Sequence, residues 1–236
     1  STQLPIVFVV NFDNNVSKSS KSGEKNKMNQ ETHYQTVLLF GAPGTGKGTQ
    51  GRILASIPGF FHLSCGDVFR TIDVKSEVGE KVYEYSSRGE LVPDQTTVEL
   101  WKQHVHANTI LGSYKPSSDL LVLDGIPRSI IQAEIMDQHI NILQIIHLFC
   151  NDEEEMIKRL RKRALKENRI DDAREDVIRR RWEVYREETQ PVLKHYQNSI
   201  ISTVEAIDSP AAVFQGILEI VVPIQKNCLT DSLKSL

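Results

Sequence analysis

The amino-acid sequence predicts an α/β fold: a parallel sheet of about five strands covered by helices on both faces. Three observations carry this. Short runs that are apolar throughout recur along the chain, stretches with helical spacing separate them, and the first run ends in a glycine-rich loop that opens a helix. A strand that is apolar on both sides is buried on both faces, and strands that alternate with helices form parallel sheets.

Residues 37–40 (Val-Leu-Leu-Phe) form the first strand, and residues 50–57 read as helix after the loop. Residues 60–63 are a second strand, followed by Gly66-Asp67 and a helix through Val68, Phe69 and Arg70. A helical block follows at 76–87 and 95–107, where Val78, Val82 and Tyr85, then Val98, Trp101 and Val105, recur at helical spacing. Residues 120–123 supply the third strand, which Asp124-Gly125 ends, and 130–139 read as helix. Residues 145–149 are the fourth strand, and 153–165 a charged amphipathic helix with Asn151 or Asp152 as N-cap. A helix from 176 to about 189 is kinked or stopped by Pro191, residues 200–204 are the last strand, and Ser209-Pro210 opens a final helix.

Composition narrows the function. The 236 residues, 39% hydrophobic and 25% charged, suit one mid-sized domain with small inserted flaps, not two large ones. A formal net charge of -3 gives no global basic field for nucleic acid or an anionic membrane, so any anion site must be a local cluster. The three cysteines, Cys65, Cys150 and Cys228, lie far apart without a CxxC pair, which fits neither a disulfide framework nor a structural zinc site and points to a reducing, cytoplasmic compartment. The apolar run at 6–10 is far shorter than the roughly 20 residues of a membrane helix. Residues 1–35, rich in Asn, Ser and Lys from residue 11, read as a flexible extension.

The loop itself carries the chemistry. Gly41 and Gly46, with Lys47 after the second glycine, match GxxxxGK between a strand and a helix, the one context in which that motif has meaning. Glycines let backbone N–H groups curl around phosphate oxygens, the helix N-terminus adds partial positive charge, and the lysine reaches the outer phosphates. Gly44, Thr45, Gly46, Lys47, Gly48 and Thr49 are the expected contacts. Most such loops place Ser or Thr directly after the lysine; here Gly48 stands there, with Thr49 next.

The string GAPGTGKGTQ resembles the nucleoside monophosphate kinase family, and further segments in family order resemble its adenylate kinase branch of short-lid type. The resemblance implies a P-loop core at 36–225 with a small helical flap for the acceptor nucleotide at about 64–93, a short lid at about 163–173, and a C-terminal tail at 226–236. Leu63-Ser64-Cys65-Gly66-Asp67-Val68-Phe69-Arg70 is similar to the LSTGDxxR segment, which makes Arg70 a phosphate ligand of the acceptor and Cys65 a departure from the usual Thr. Gly89-Glu90-Leu91-Val92-Pro93-Asp94 is similar to GxLVPD, with Glu90, Leu91 and Val92 around the acceptor base. Leu123-Asp124-Gly125-Ile126-Pro127-Arg128, then Gln132-Ala133, resembles LDGFPR…QA, with Ile126 for the usual Phe.

By that resemblance Asp124 holds Mg²⁺ through water, Gly125 admits the acceptor, Arg128 clamps its phosphate, and Gln132 offers a donor and an acceptor to adenine. Arg159 and Arg163 resemble the RLxxR run, on the ATP base and phosphates respectively, and Arg169 the RxDD element. Arg181, four before Tyr185, resembles the helix arginine, with Arg180 the alternative because the interval from Arg169 is one residue longer than the commonest family spacing. Lys47, Arg128, Arg163, Arg169 and Arg181 form the catalytic set. The implied activity is reversible transfer of the terminal phosphoryl group of Mg-ATP to AMP, giving two ADP, by a monomer without structural zinc. Transfer to UMP or CMP is the alternative that Cys65 keeps open; a nucleotide-sensing module weakened in catalysis is another.

Overall fold

The computed structural model describes residues 33–167 and 174–234. Five strands form its sheet: β1 (Tyr34–Gly41), β2 (Phe60–Ser64), β3 (Leu120–Asp124), β4 (Ile140–Phe149) and β5 (Ile201–Glu205). Their order is β2-β3-β1-β4-β5 and every pairing is parallel. The sheet is therefore the predicted one. Because the chain leaves β1 towards β2 on one side and later returns to β4 on the other, a crevice opens beyond the C-terminal end of β1, where ligands of such sheets bind.

Helices cover both faces: α1 (Lys47–Leu54), α2 (Cys65–Thr71), α3 (Glu77–Ser86), α4 (Asp94–Ile110), α5 (Ile130–Met136), α6 (Glu153–Glu167), α7 (Glu175–Val184) and α8 (Pro210–Lys234). Successive strand residues point to opposite faces, so each strand feeds two cores. On one face Val37, Leu39, Val122 and Ile146 pack with Leu54 of α1 and Val213, Ile217 and Val221 of α8. On the other, Leu38, Phe40, Leu121 and Ile145 pack with Trp101 of α4, Met136 of α5, Met156 of α6 and Ile178 of α7. Each fully buried Leu, Ile or Val contributes about 1.5–3 kcal/mol, which is why the strands are apolar throughout.

Several boundaries differ from those the sequence suggests. β1 begins at Tyr34, ahead of residue 36, because the Tyr34 ring packs on Trp101 and Tyr114 at 6.3 and 5.8 Å. α1 begins at Lys47 and ends at Leu54, shifted towards the loop that caps it. α5 stops at Met136, and β4 begins at Ile140 instead of residue 145. The reason is a register shift: Ile142 pairs with Thr36 but Gln144 with Val37, so Leu143 is an extra residue that breaks the apolar pattern. α7 ends at Val184 and continues as a π-helical turn (Tyr185–Thr189) and a 3-10 segment (Gln190–His195) containing Pro191. α8 runs through Pro223 to Lys234, so most of the stretch assigned to a tail is helical. Among the described residues no helix is long and apolar enough to cross a membrane.

At the end of the sheet opposite the glycine-rich loop, Tyr114 stacks on Phe61 at 4.9 Å and is 1% exposed, yet its hydroxyl has no hydrogen-bond partner among the described residues. Burial accordingly raises its pKa. Tyr114→Phe keeps the ring and removes an unsatisfied donor, so we expect stability in urea unfolding to stay level or rise by up to about 1 kcal/mol. A loss larger than that would mean the hydroxyl is bonded.

Candidate active site

The loop between β1 and α1 is shaped by contacts that exclude side chains. At Gly44 φ is +92°, and a Cβ would lie 2.9 Å from the Met156 carbonyl oxygen, so the loop packs directly on α6. The buried Thr45 hydroxyl donates to the Ala42 carbonyl at 2.9 Å and closes the loop from inside. α1 begins with no acidic residue in its first turn and no side-chain cap, which leaves its N–H groups and dipole for an anion.

Lys47 folds back over this loop: Nζ donates to the carbonyls of Gly41 at 2.7 Å and Ala42 at 3.0 Å. Burial pulls its pKa down to about 8; Asp124 opposes the shift, while Arg128, Arg163 and Arg181 add to it. The ammonium persists at neutral pH, held among like charges. Such a cluster is stabilised by polyphosphate.

Asp124 ends β3 and is 6% exposed. A Cβ on Gly48 would come within 3.3 Å of its Oδ2, so the glycine after Lys47 gives the carboxylate access to the loop. One buried carboxylate, with the Thr49 hydroxyl on the same small cavity, fits Mg²⁺, a hard cation that keeps several waters and takes other oxygens from phosphates. Beside Asp124, His62 Nε2 stands 3.9 Å from Oδ2, and burial lowers the pKa of that imidazole.

Two cavities open from this point. The smaller, about 90 Å³, is the phosphate cradle, lined by the loop, Asp124 and Arg163. The larger, about 670 Å³, lies between α2, α3, the loop after β3 and α7, and takes in Glu90, Leu91, Val92 and Gln132. Lys47, Arg70, Arg128 and Arg181 line both. Four cations thus stand where the cavities meet.

The remaining candidates divide. Gly44, Gly46, Gly48 and Thr49 line the cradle; Cys65 and Gly125 line the larger cavity. Burial pushes the Cys65 thiol up to about 12, so it remains a small, neutral wall. Arg181 faces both cavities, whereas Arg180 points outward to Glu183 at 3.1 Å. Arg159 lies outside both, donating to the Ala206 carbonyl at 2.8 Å. Arg169 and most of the expected lid lie outside the described residues. Arg70 pairs with Asp67 in the same turn of α2.

Gln132 does not present an open amide. It is 1% exposed, its oxygen accepts the Arg128 N–H at 2.8 Å, and its nitrogen donates to Asp94 Oδ1 at 2.9 Å. One N–H and one lone pair remain for a ligand. Sequence reasoning quoted Asp94 and Asp67 inside motifs without giving them a role, and passed over Arg52. Asp94 also accepts from the Ser129 hydroxyl at 2.7 Å and so fixes the start of α5. Arg52 and Asp67 line the cradle 3.7 Å apart. Asp67 sits inside the LSTGDxxR-like segment, which was a signal; Arg52 carries none.

A glycine-rich loop joined to a second, arginine-walled cavity defines a phosphate-handling P-loop protein with two ligand sites. Comparison with known sequences narrows the class: the sequence model described as adenylate kinase matches residues 39–201. An adenylate kinase of Thermobifida fusca is 37% identical over 177 residues, 72% of this chain and 89% of that protein. One from Thermus thermophilus is 35% identical over 190 residues, 78% and 95% respectively. One from Maricaulis maris is 36% identical over 188 residues, 77% and 95%. The chain belongs to the adenylate kinase family.

The depressed Lys47 makes phosphate binding proton-linked. Inorganic tripolyphosphate raises that pKa again, so between about pH 8 and 10 binding takes up a proton onto Nζ, and affinity falls as pH rises through this window. Below pH 7 the ammonium is already formed and Lys47 takes up none. Calorimetry in buffers of different ionisation enthalpy reads the uptake, and Lys47→Arg should remove it.

Proposed function

We propose that this chain transfers the terminal phosphoryl group of ATP to AMP, reversibly, forming two molecules of ADP. The observation that carries this reading is the shared wall: Lys47, Arg70, Arg128 and Arg181 line both the phosphate cradle and the larger cavity. A hydrolase or switch needs one nucleotide site. A transferase needs two, with the cations between them.

In this reading the donor polyphosphate lies on the N-terminus of α1, with Lys47 released from the carbonyls of Gly41 and Ala42 to meet the outer phosphates. The acceptor enters between the flap and α7; Arg70 exchanges Asp67 for its phosphate, and Arg128 binds beside it. Gln132 and Val92 face the base, and Cys65 leaves room without supplying a strong donor. Asp124 and Thr49 would hold Mg²⁺, which when bound neutralises phosphate charge. Arg163 and Arg181 neutralise charge spread over the transferred group, and the family resemblance adds Arg169 to them. Arg159, which the family resemblance assigns to the donor base, would have to leave the Ala206 carbonyl to reach it. Covering the cleft excludes water, which favours transfer over hydrolysis.

A coupled assay of ADP formation with ATP and Mg²⁺, run against AMP, UMP and CMP, tests the assignment. AMP should be the preferred acceptor, and Lys47→Ala and Arg128→Ala should each lower turnover by about 10²-fold or more while the fold survives. Preference for UMP or CMP would reassign the acceptor. Wild-type turnover in either variant would move the site elsewhere.

A further inference from the structure

His62 is a residue of β2, whose register places Ser64 opposite Asp124 of β3. Its side chain is only 5% exposed. Nε2 has no hydrogen-bond partner among the described residues, although it stands 3.9 Å from Asp124 Oδ2. The ring occupies space that α1 leaves for it: a Cβ on Gly51 would fall 2.3 Å from Nε2 and 2.4 Å from Cδ2. Buried polar nitrogens are nearly always bonded, and an orphan aimed at a functional carboxylate calls for an explanation.

The contact is longer than a hydrogen bond, so it does not hold Asp124 in the nucleotide-free state. A small turn of either side chain closes it. With Nε2–H donating to Oδ2, the carboxylate plane is fixed beside the cradle that Asp124, Lys47 and Thr49 line. Carboxylates that serve a metal are oriented in this way by a partner behind them.

We propose that His62 is a positioning residue for the metal-facing carboxylate, donating from Nε2 to Asp124 when the cleft is loaded, and that Gly51 exists as glycine to admit the ring. The inference rests on the kinase reading of the site, in which Asp124 serves Mg²⁺. Neither residue touches the reacting atoms. Their effect is on metal recruitment, not on nucleotide contact.

The test measures Mn²⁺ binding to the ATP-loaded protein by electron paramagnetic resonance, with ATP affinity in EDTA by calorimetry and thermal unfolding run alongside. Asp124→Asn should weaken Mn²⁺ binding about 10-fold or more, and His62→Leu about 10-fold, with metal-free ATP affinity unchanged in His62→Leu. His62→Gln, which restores an N–H near the same place, should recover most of the loss. Gly51→Ala, which keeps the imidazole but displaces it, should reproduce the loss, and it decides the matter with His62→Gln if His62→Leu fails to fold. A normal Mn²⁺ affinity in His62→Leu or Gly51→Ala, with Asp124→Asn impaired, would overturn the role of His62 and leave the kinase reading standing. Normal affinity in Asp124→Asn would remove the metal assignment and this inference together.

Discussion

The structure turns on one unfavourable placement: the ammonium of Lys47, half-buried and held by two loop carbonyls, among Arg128, Arg163 and Arg181. A cation so placed loses hydration and gains repulsion, and the fall of its pKa to about 8 records both. The arrangement persists because the surrounding sheet leaves it no better alternative. β1 is paired on both edges and apolar on both faces, so the loop at its end cannot relax without disturbing two cores. Strain from like charge is thus maintained by packing.

The same constraint explains the division of labour around the cleft. The cradle is built from backbone, short residues and first-turn N–H groups, which move little; the larger cavity is walled by α2, α3 and the C-terminal part of α7, where the helix widens into a π-helical turn at Tyr185–Thr189. Tyr185 and Thr189 both line that cavity. A π turn adds a residue to one helical turn and redirects the side chains beyond it, a device often found at ligand sites. Here it lets α7 place Arg181 where the two cavities meet while later residues line the larger one. Surface ion pairs from Arg179 of α7 to Glu154, and from Arg186 of the π-helical turn to Glu153, join this segment to α6; each is exposed and contributes little alone.

How much was legible depends on the range over which the information acts. Motifs that work through adjacent backbone were readable: the loop from Gly41 to Lys47, the carboxylate that ends β3, and the segment around Arg70 all owe their place at the cavities to local spacing. The start of β4 was not, because Leu143 bulges only against β1 and its alternation makes sense only with the partner strand in view. Gln132 was placed by its motif, but its ties to Asp94 and Arg128 come from α4 and its own turn, which no spacing announces. The choice between Arg180 and Arg181 needed the helix phase that α7 fixes. His62 and Arg52 were invisible for the same reason: their meaning lies in contacts across elements.

The buried polar atoms left without partners sharpen that distinction. Those of Trp101 and Tyr114 sit in the aromatic cluster around Tyr34, far along the sheet from the loop, where large rings fill volume and their polar tips are the residue of good packing. Those of Gln50 and His62 flank α1 behind the phosphate cradle. Gln50 uses its amide nitrogen to bind the Pro210 carbonyl at 3.0 Å, tying α1 to the start of α8, so its orphan oxygen accompanies a structural bond. His62 Nε2 has no such bond and faces Asp124. These atoms share one description and separate by what each side chain otherwise does. At His62 the unused bonding capacity points at the Asp124 carboxylate, and there the facing helix has given up a side chain to make room.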